Sequence, residues 1–202
     1  MLSFVSPCRS MFLTGLCALA FSGGAFAGNG PDPSGLPFCQ QVYGAQACRL
    51  PVKNGQFDGL GGWTRASGLP SIGYDISGNP YAALYTGASI RQAVYAHAGR
   101  SPQDVAYALR FRVRADNGDA QVRATMSMSD ATGAHAVPIG STTAIARQGD
   151  WSVVELVVNG APFAAPAHVS VEIASEGGNH DTVQVDDVLL VQSASVQALL
   201  HR

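Results

Sequence analysis

The chain predicts an all-β fold, one sandwich or barrel, on three observations. From Val52 onward short apolar stretches with a period of two recur, broken by Gly, Asn, Asp and Pro. Apart from the tail Val196–Leu200, no window carries an apolar stripe at helical spacing. Within Val105–Ala115, Tyr107, Leu109, Phe111 and Val113 share one face, and Asn117-Gly118, the strongest short hairpin signal, follows directly.

The elements follow in order. Arg9, an apolar run from Met11 to Phe21, Ser22-Gly23-Gly24 and Ala25-Phe26-Ala27 have the layout of a cleavable secretory signal over residues 1–27. The run is about half the ~20 residues a membrane-spanning helix needs, so a secreted or periplasmic location without a membrane span is expected. Removing 27 of the 202 residues leaves 175, which suits one domain with a real core. It also leaves two of the four cysteines, Cys39 and Cys48, whose simplest use in an exported chain is one disulfide. They lie in a Pro/Gly-rich lead-in, residues 28–51, expected to be exposed rather than core.

The domain proper spans 52–192, with a tail at 193–202. Its strands are expected at Val52–Asp58, Ile72–Ile76, Tyr81–Tyr85, Ser89–Tyr95, Val105–Ala115, Gln121–Ser129, Trp151–Val158, Val169–Ala174 and Thr182–Gln192. The Asn-Gly turn pairs Val105–Ala115 with Gln121–Ser129, whose inner face carries Val122, Ala124, Met126 and Met128. In the last strand, strict alternation sets Asp187 among Val183, Val185, Leu189 and Val191. A carboxylate buried there needs a cation or several hydrogen-bond donors.

Two segments go beyond generic alternation: Asn54-Gly55-Gln56-Phe57-Asp58 with Gly62-Trp63-Thr64 at the start, and Val183-Gln184-Val185-Asp186-Asp187-Val188 at the end. With Tyr81–Leu84, Ile90–Val94 and Tyr107–Arg114 between them, the stretch from Val52 to Gln192 resembles the CenC-type carbohydrate-binding modules. Those modules belong to the galactose-binding-like jelly rolls. The resemblance implies a jelly-roll β-sandwich, a poly- or oligosaccharide partner, core positions for Trp63 and Trp151, and a structural calcium near a sheet edge. Asp58 and Asp187, with backbone carbonyls, are the candidate calcium ligands, since hard oxygens suit that ion. The alternative is that Asp187 accepts backbone N–H bonds with no metal present.

Tyr81 and Tyr85 are expected to face outward, as are Arg110, Arg112, Arg114 and, on the paired strand, Arg123. Tyrosines for stacking and arginines for hydroxyls or uronate carboxylates make this face the candidate glycan surface. Gln92 alternates with Ile90 and Val94, so it faces inward and either bonds backbone or reaches a ligand at the cleft edge.

The five histidines are scattered, and no G-x-S-x-G or H-E-x-x-H motif occurs, so a non-catalytic module is the leading expectation. A structural or protein-interaction protein of the cell envelope is the first alternative, and a jelly-roll glycan hydrolase or lyase the second. Without its signal the chain has 11 basic side chains, Arg9 having left with the leader, against 14 acidic ones. With no basic run, a nucleic-acid partner is not expected.

Overall fold

The computed structural model describes residues 35–39, 47–96, 105–163, 167–177 and 182–194. The expected signal, the tail from 195, His97, His180 and His201 lie outside them. Among the described residues the regular elements are all strands. They are β1 (Ala47–Arg49), β2 (Thr64–Ser67), β3 (Ser71–Tyr74), β4 (Pro80–Tyr85), β5 (Ser89–Ala96) and β6 (Ala106–Ala115). Then come β7 (Ala120–Ser129), β8 (Val137–Ala146), β9 (Ser152–Asn159), β10 (Ala167–Gly177) and β11 (Thr182–Ser193).

Two antiparallel sheets result. The first has the order β3-β4-β11-β6-β9, with β1 also on β11; the second runs β2-β5-β10-β7-β8. The core lies between them. Tyr107, Leu109, Phe111 and Val113 of β6 meet the inner face of β7, Val122, Ala124, Met126 and Met128, and all eight are buried. In this pair of strands the period of two therefore names the core side correctly.

The Asn117-Gly118 turn does not close a hairpin. It carries the chain from β6 in the first sheet to β7 in the second. Turn chemistry specifies that the chain reverses, whereas burial decides the partner. Two strands with one strongly apolar face each gain more by facing one another across the sandwich than by lying side by side.

The expected first strand, Val52–Asp58, is instead a turn-rich loop. Asn54 and Phe57 have φ of 47° and 52°, which a strand does not accommodate. The loop is tied down locally: Asn54 Nδ2 donates to Gly61 O at 2.7 Å and Trp63 Nε1 to Asn54 O at 3.1 Å. Phe57 and Trp63 are buried with ring centroids 5.4 Å apart, so Trp63 is a core residue as expected. β4 and β1 border the same side of β11 near its two ends, and this loop fills the gap between them. Val188 N donates to Gly55 O at 2.8 Å. A Cβ on Gly55 would lie 2.4 Å from Val188 O, so glycine is required for that approach.

The lead-in is less exposed than its composition implies. Cys39 and Cys48 form the disulfide, and β1 joins the first sheet antiparallel to β11. Leu36 and Ala47 cover Ala108 and Val191 on the outer side of that sheet. Strand β8 has no counterpart in the sequence reading, because Pro138, Gly140 and the Ser141-Thr142-Thr143 run disguise it. It is an edge strand, where such residues are tolerated.

Candidate functional site

The outer faces of the two sheets differ in what they leave open. On the first sheet, the alternation of β11 is broken by a bulge between Asp186 and Leu189, with Asp187 at φ 50°. Val183 and Val185 face the core before it, Val188 and Leu190 after it. The extra residue is Asp187, which therefore leaves the apolar face that strict alternation assigns to it. Both aspartates turn to Arg112. Its Nη2 donates to Asp186 Oδ2 at 2.8 Å, and its Nε lies 2.7 Å from Asp187 Oδ2 as an ion contact.

Above them sits an aromatic roof. Tyr81 on β4 and Trp151 just before β9 meet edge to face with centroids 6.5 Å apart, across the two strands between them. The guanidinium carbons of Arg112 and Arg114 lie 5.1 and 4.7 Å from the Trp151 ring. Such contacts contribute on the order of 0.5–1 kcal/mol each at partly exposed sites. Trp151 is thus an outer-face residue rather than the core tryptophan expected. Beneath the roof, Gln184 donates to Asp116 and accepts from Nε and Nη2 of Arg114. Gln184 and Asp186 are buried although they point away from the core. Burial, more than the neighbouring Asp187 charge, pushes the Asp186 carboxyl up to about 6; the Asp187 N–H and Arg112 oppose it. Burial and then Asp116 raise the Tyr81 phenol.

The expected site residues therefore divide. Tyr81, Arg112 and their neighbours form this cluster, while Tyr85 and Arg110 are exposed on the same sheet. Arg123 is not with them: β6 and β7 belong to different sheets, and Arg123 pairs with Glu176 Oε1 at 2.7 Å on the second. Gln92 is buried and grips one backbone unit, accepting from Lys53 N at 2.6 Å and donating to Lys53 O at 2.9 Å. It is a structural clamp on the loop that precedes Trp63. Asp58 is exposed and Asp187 already holds a guanidinium, and no cluster of three His, Cys, Asp or Glu fit for a metal occurs among the described residues.

Among the described residues, β1 and the lead-in pack on the first sheet. Its register puts Ala93, Ser170, Ser127 and Pro138 in one row across β5, β10, β7 and β8. One row away lie Tyr95, His168 and Ser129; on the other side lie Arg91, Glu172, Thr125 and Ser141. Rows on one face repeat every ~7 Å along a strand, so the flanking rows stand roughly 14 Å apart over a floor of small side chains. The result is a groove perpendicular to the strands. One wall is the edge-to-face pair Tyr95–His168, with centroids 5.4 Å apart. The other is Arg91, whose Nε donates to Glu172 Oε2 at 3.0 Å. Nothing in the sequence singled out this groove, because it is made by the register of four strands distant in sequence. The outward alternation of Arg91, Ala93 and Tyr95 was its one visible trace.

No protein-family model matches the chain, and no curated protein matches it by sequence. Solved structures do. A Stig cyclase from Fischerella sp. TAU, in complex with an indole compound, aligns over 74% of this chain and 99% of its own at 13% identity and a TM-score of 0.57. TmCBM61 in complex with β-1,4-galactotriose aligns over 70% of this chain and 97% of its own at 16% identity and a TM-score of 0.50. The fold is a jelly-roll sandwich of the carbohydrate-binding-module kind. One fold thus serves a cyclase and a sugar-binding module, so function has to be read from the site.

Proposed function

We propose that the protein binds a glycan chain in the groove across β5, β10 and β7. The observation that carries this reading is the combination of walls and floor. Tyr95, set edge to face against His168, offers an apolar ring for the C–H face of a sugar, Ser170 and Ser127 offer hydroxyls beneath it, and Arg91 offers charge-assisted donors opposite. The likeness to a galactotriose-bound module supports the fold that holds these groups. The first sheet's outer face, favoured by the sequence, is the weaker platform. Leu36 and Ala47 cover Ala108 and Val191 on it, and Arg112 and Arg114 already bond Asp186 and Gln184.

The charge pattern bears on ligand class. Arg91 and Arg123 are each paired with a glutamate, Glu172 and Glu176. The face therefore offers hydrogen bonds without a net positive field, which suits neutral sugars better than uronates. Calorimetric titration with cellotriose, xylotriose, β-1,4-galactotriose and trigalacturonate tests the reading. Binding of a neutral trisaccharide, lost in Tyr95→Ala and kept in Arg110→Ala, is the expected result. The reverse pattern would return the site to the first sheet, and absence of all binding would refute glycan recognition by this groove.

A further inference from the structure

The polar wall of the groove has a buried support. Ser89, at the start of β5, is 1% exposed, and its Oγ donates to Glu172 Oε1 at 3.0 Å. Ser67 Oγ, on β2, lies 2.9 Å from Ser89 Oγ and 2.7 Å from Gly87 O; with the Ser89 proton on Glu172, the single Ser67 proton serves Ser89 or Gly87 O, not both. The other carboxylate oxygen, Oε2, accepts from both Nε and Nη2 of Arg91. Both Glu172 oxygens are therefore engaged, one by a buried hydroxyl and one by a guanidinium. Arg91 itself is about half exposed, its side chain at 54% against 29% for Glu172.

We infer that Ser89 is a positioning residue for the groove: it fixes the Glu172 carboxylate, and the carboxylate in turn aims the Arg91 guanidinium at the ligand. The inference rests on the groove reading and deepens it by giving the wall its polarity. With its oxygens engaged, Glu172 has little capacity left to accept from a sugar hydroxyl. The wall works as a donor, and it selects a ligand oxygen that can accept at that height. An arginine on a flexible stem loses rotamer freedom when it binds; a carboxylate held from beneath removes that freedom before the ligand arrives. The hydroxyl of Ser89 thereby affects binding without touching the ligand. A proton donated by Ser67 to Ser89 Oγ carries the support to the edge strand β2.

The experiment has a ligand-free arm and a binding arm, both on the full exported chain. In the first, the Arg91 Nε–Hε resonance is followed by NMR in wild type, Ser89→Ala and Ser67→Ala. Wild type is expected to show a slowly exchanging, downfield signal; Ser89→Ala should broaden or lose it, and Ser67→Ala should weaken it. In the second, the same proteins are titrated with the four trisaccharides named above. Ser89→Ala is expected to weaken the best binder about five- to tenfold, in the range for one charge-assisted hydrogen bond set loose, with the melting temperature nearly unchanged. Ser67→Ala should move affinity the same way by less. An unchanged Arg91 resonance in Ser89→Ala overturns the inference whatever the glycan result. A lost resonance with unaltered affinity also overturns it. A wild-type protein that binds none of the four refutes the groove itself, a result distinct from a bound glycan whose affinity ignores Ser89. Should Ser89→Ala fail to fold, Ser67→Ala, at an exposed position, carries both arms.

Discussion

Asp186→Asn should make the protein's stability less sensitive to pH, and the sign follows from burial. The folded-state carboxyl titrates at about 6 against an ordinary value of 3.8. Between those values the folded state holds a proton that the unfolded chain has released, so stability falls as pH rises through the window. The Asp186 side chain is 9% exposed, so solvent screening removes little of the effect. A shift of that size corresponds to at most about 3 kcal/mol, fully expressed above pH 6 and absent below about pH 4. Asparagine keeps an oxygen that can accept from Arg112 and carries no charge to desolvate. The variant should therefore gain stability relative to wild type between pH 4 and pH 7, by up to about 3 kcal/mol. Asp75 and Asp130, whose carboxyls are lowered chiefly by bonds from Asn79 N–H and the Thr132 hydroxyl, change stability in the opposite sense. They are common to both proteins and cancel in the difference. Urea unfolding of both proteins at pH 4, 5, 6 and 7 measures it. A difference that stays flat with pH, or slopes the other way, would show that Asp186 is not a buried carboxylate beneath the aromatic roof.

The other outcomes test separate parts of the structure. A Cβ on Gly73 would lie 2.4 and 2.5 Å from two Tyr81 ring carbons and 2.7 Å from its hydroxyl, so Gly73→Ala should displace that ring from Trp151. The expected readings are a changed tryptophan emission and a loss of about 1–3 kcal/mol in chemical denaturation. Replacing Cys39 and Cys48 by serine opens a loop of sequence separation 9, which should cost about 2–3 kcal/mol and leave the sandwich folded, as read by melting temperature and circular dichroism. Because Arg112 occupies Asp187, chelation should leave the melting temperature unmoved; a drop of several degrees, reversed by calcium, would restore the metal reading.

Much of this architecture was legible in the chain. The core faces of β6 and β7, Tyr107–Val113 and Val122–Met128, could be read by counting in twos, because hydrophobic burial acts on single residues at a fixed period. Trp63 was expected in the core from the family resemblance, and its near neighbours Asn54 and Phe57 hold it there. Three things were not legible. The bulge at Asp187 changes the phase of β11, and nothing in Val-Asp-Asp-Val marks which aspartate is extra. The partner of β6 depends on a choice between lateral pairing and facial packing, to which Asn117-Gly118 is indifferent. The outer faces were the hardest, since polar residues are compatible with solvent, a ligand or one another. Arg112 and Arg123 look alike in sequence, yet one is locked under Trp151 and the other lies on the opposite sheet. Only the register of distant strands shows which outward face stays open.

Chemical-shift mapping shows directly whether the ligand lies on the second sheet. A uniformly labelled sample is titrated with the best-binding trisaccharide of the four. The account predicts that perturbed amides cluster at Tyr95, Ser170 and Ser127, with Tyr81, Tyr85 and Arg110 unmoved. Perturbations centred on those last three residues would contradict it and place the site on the opposite face.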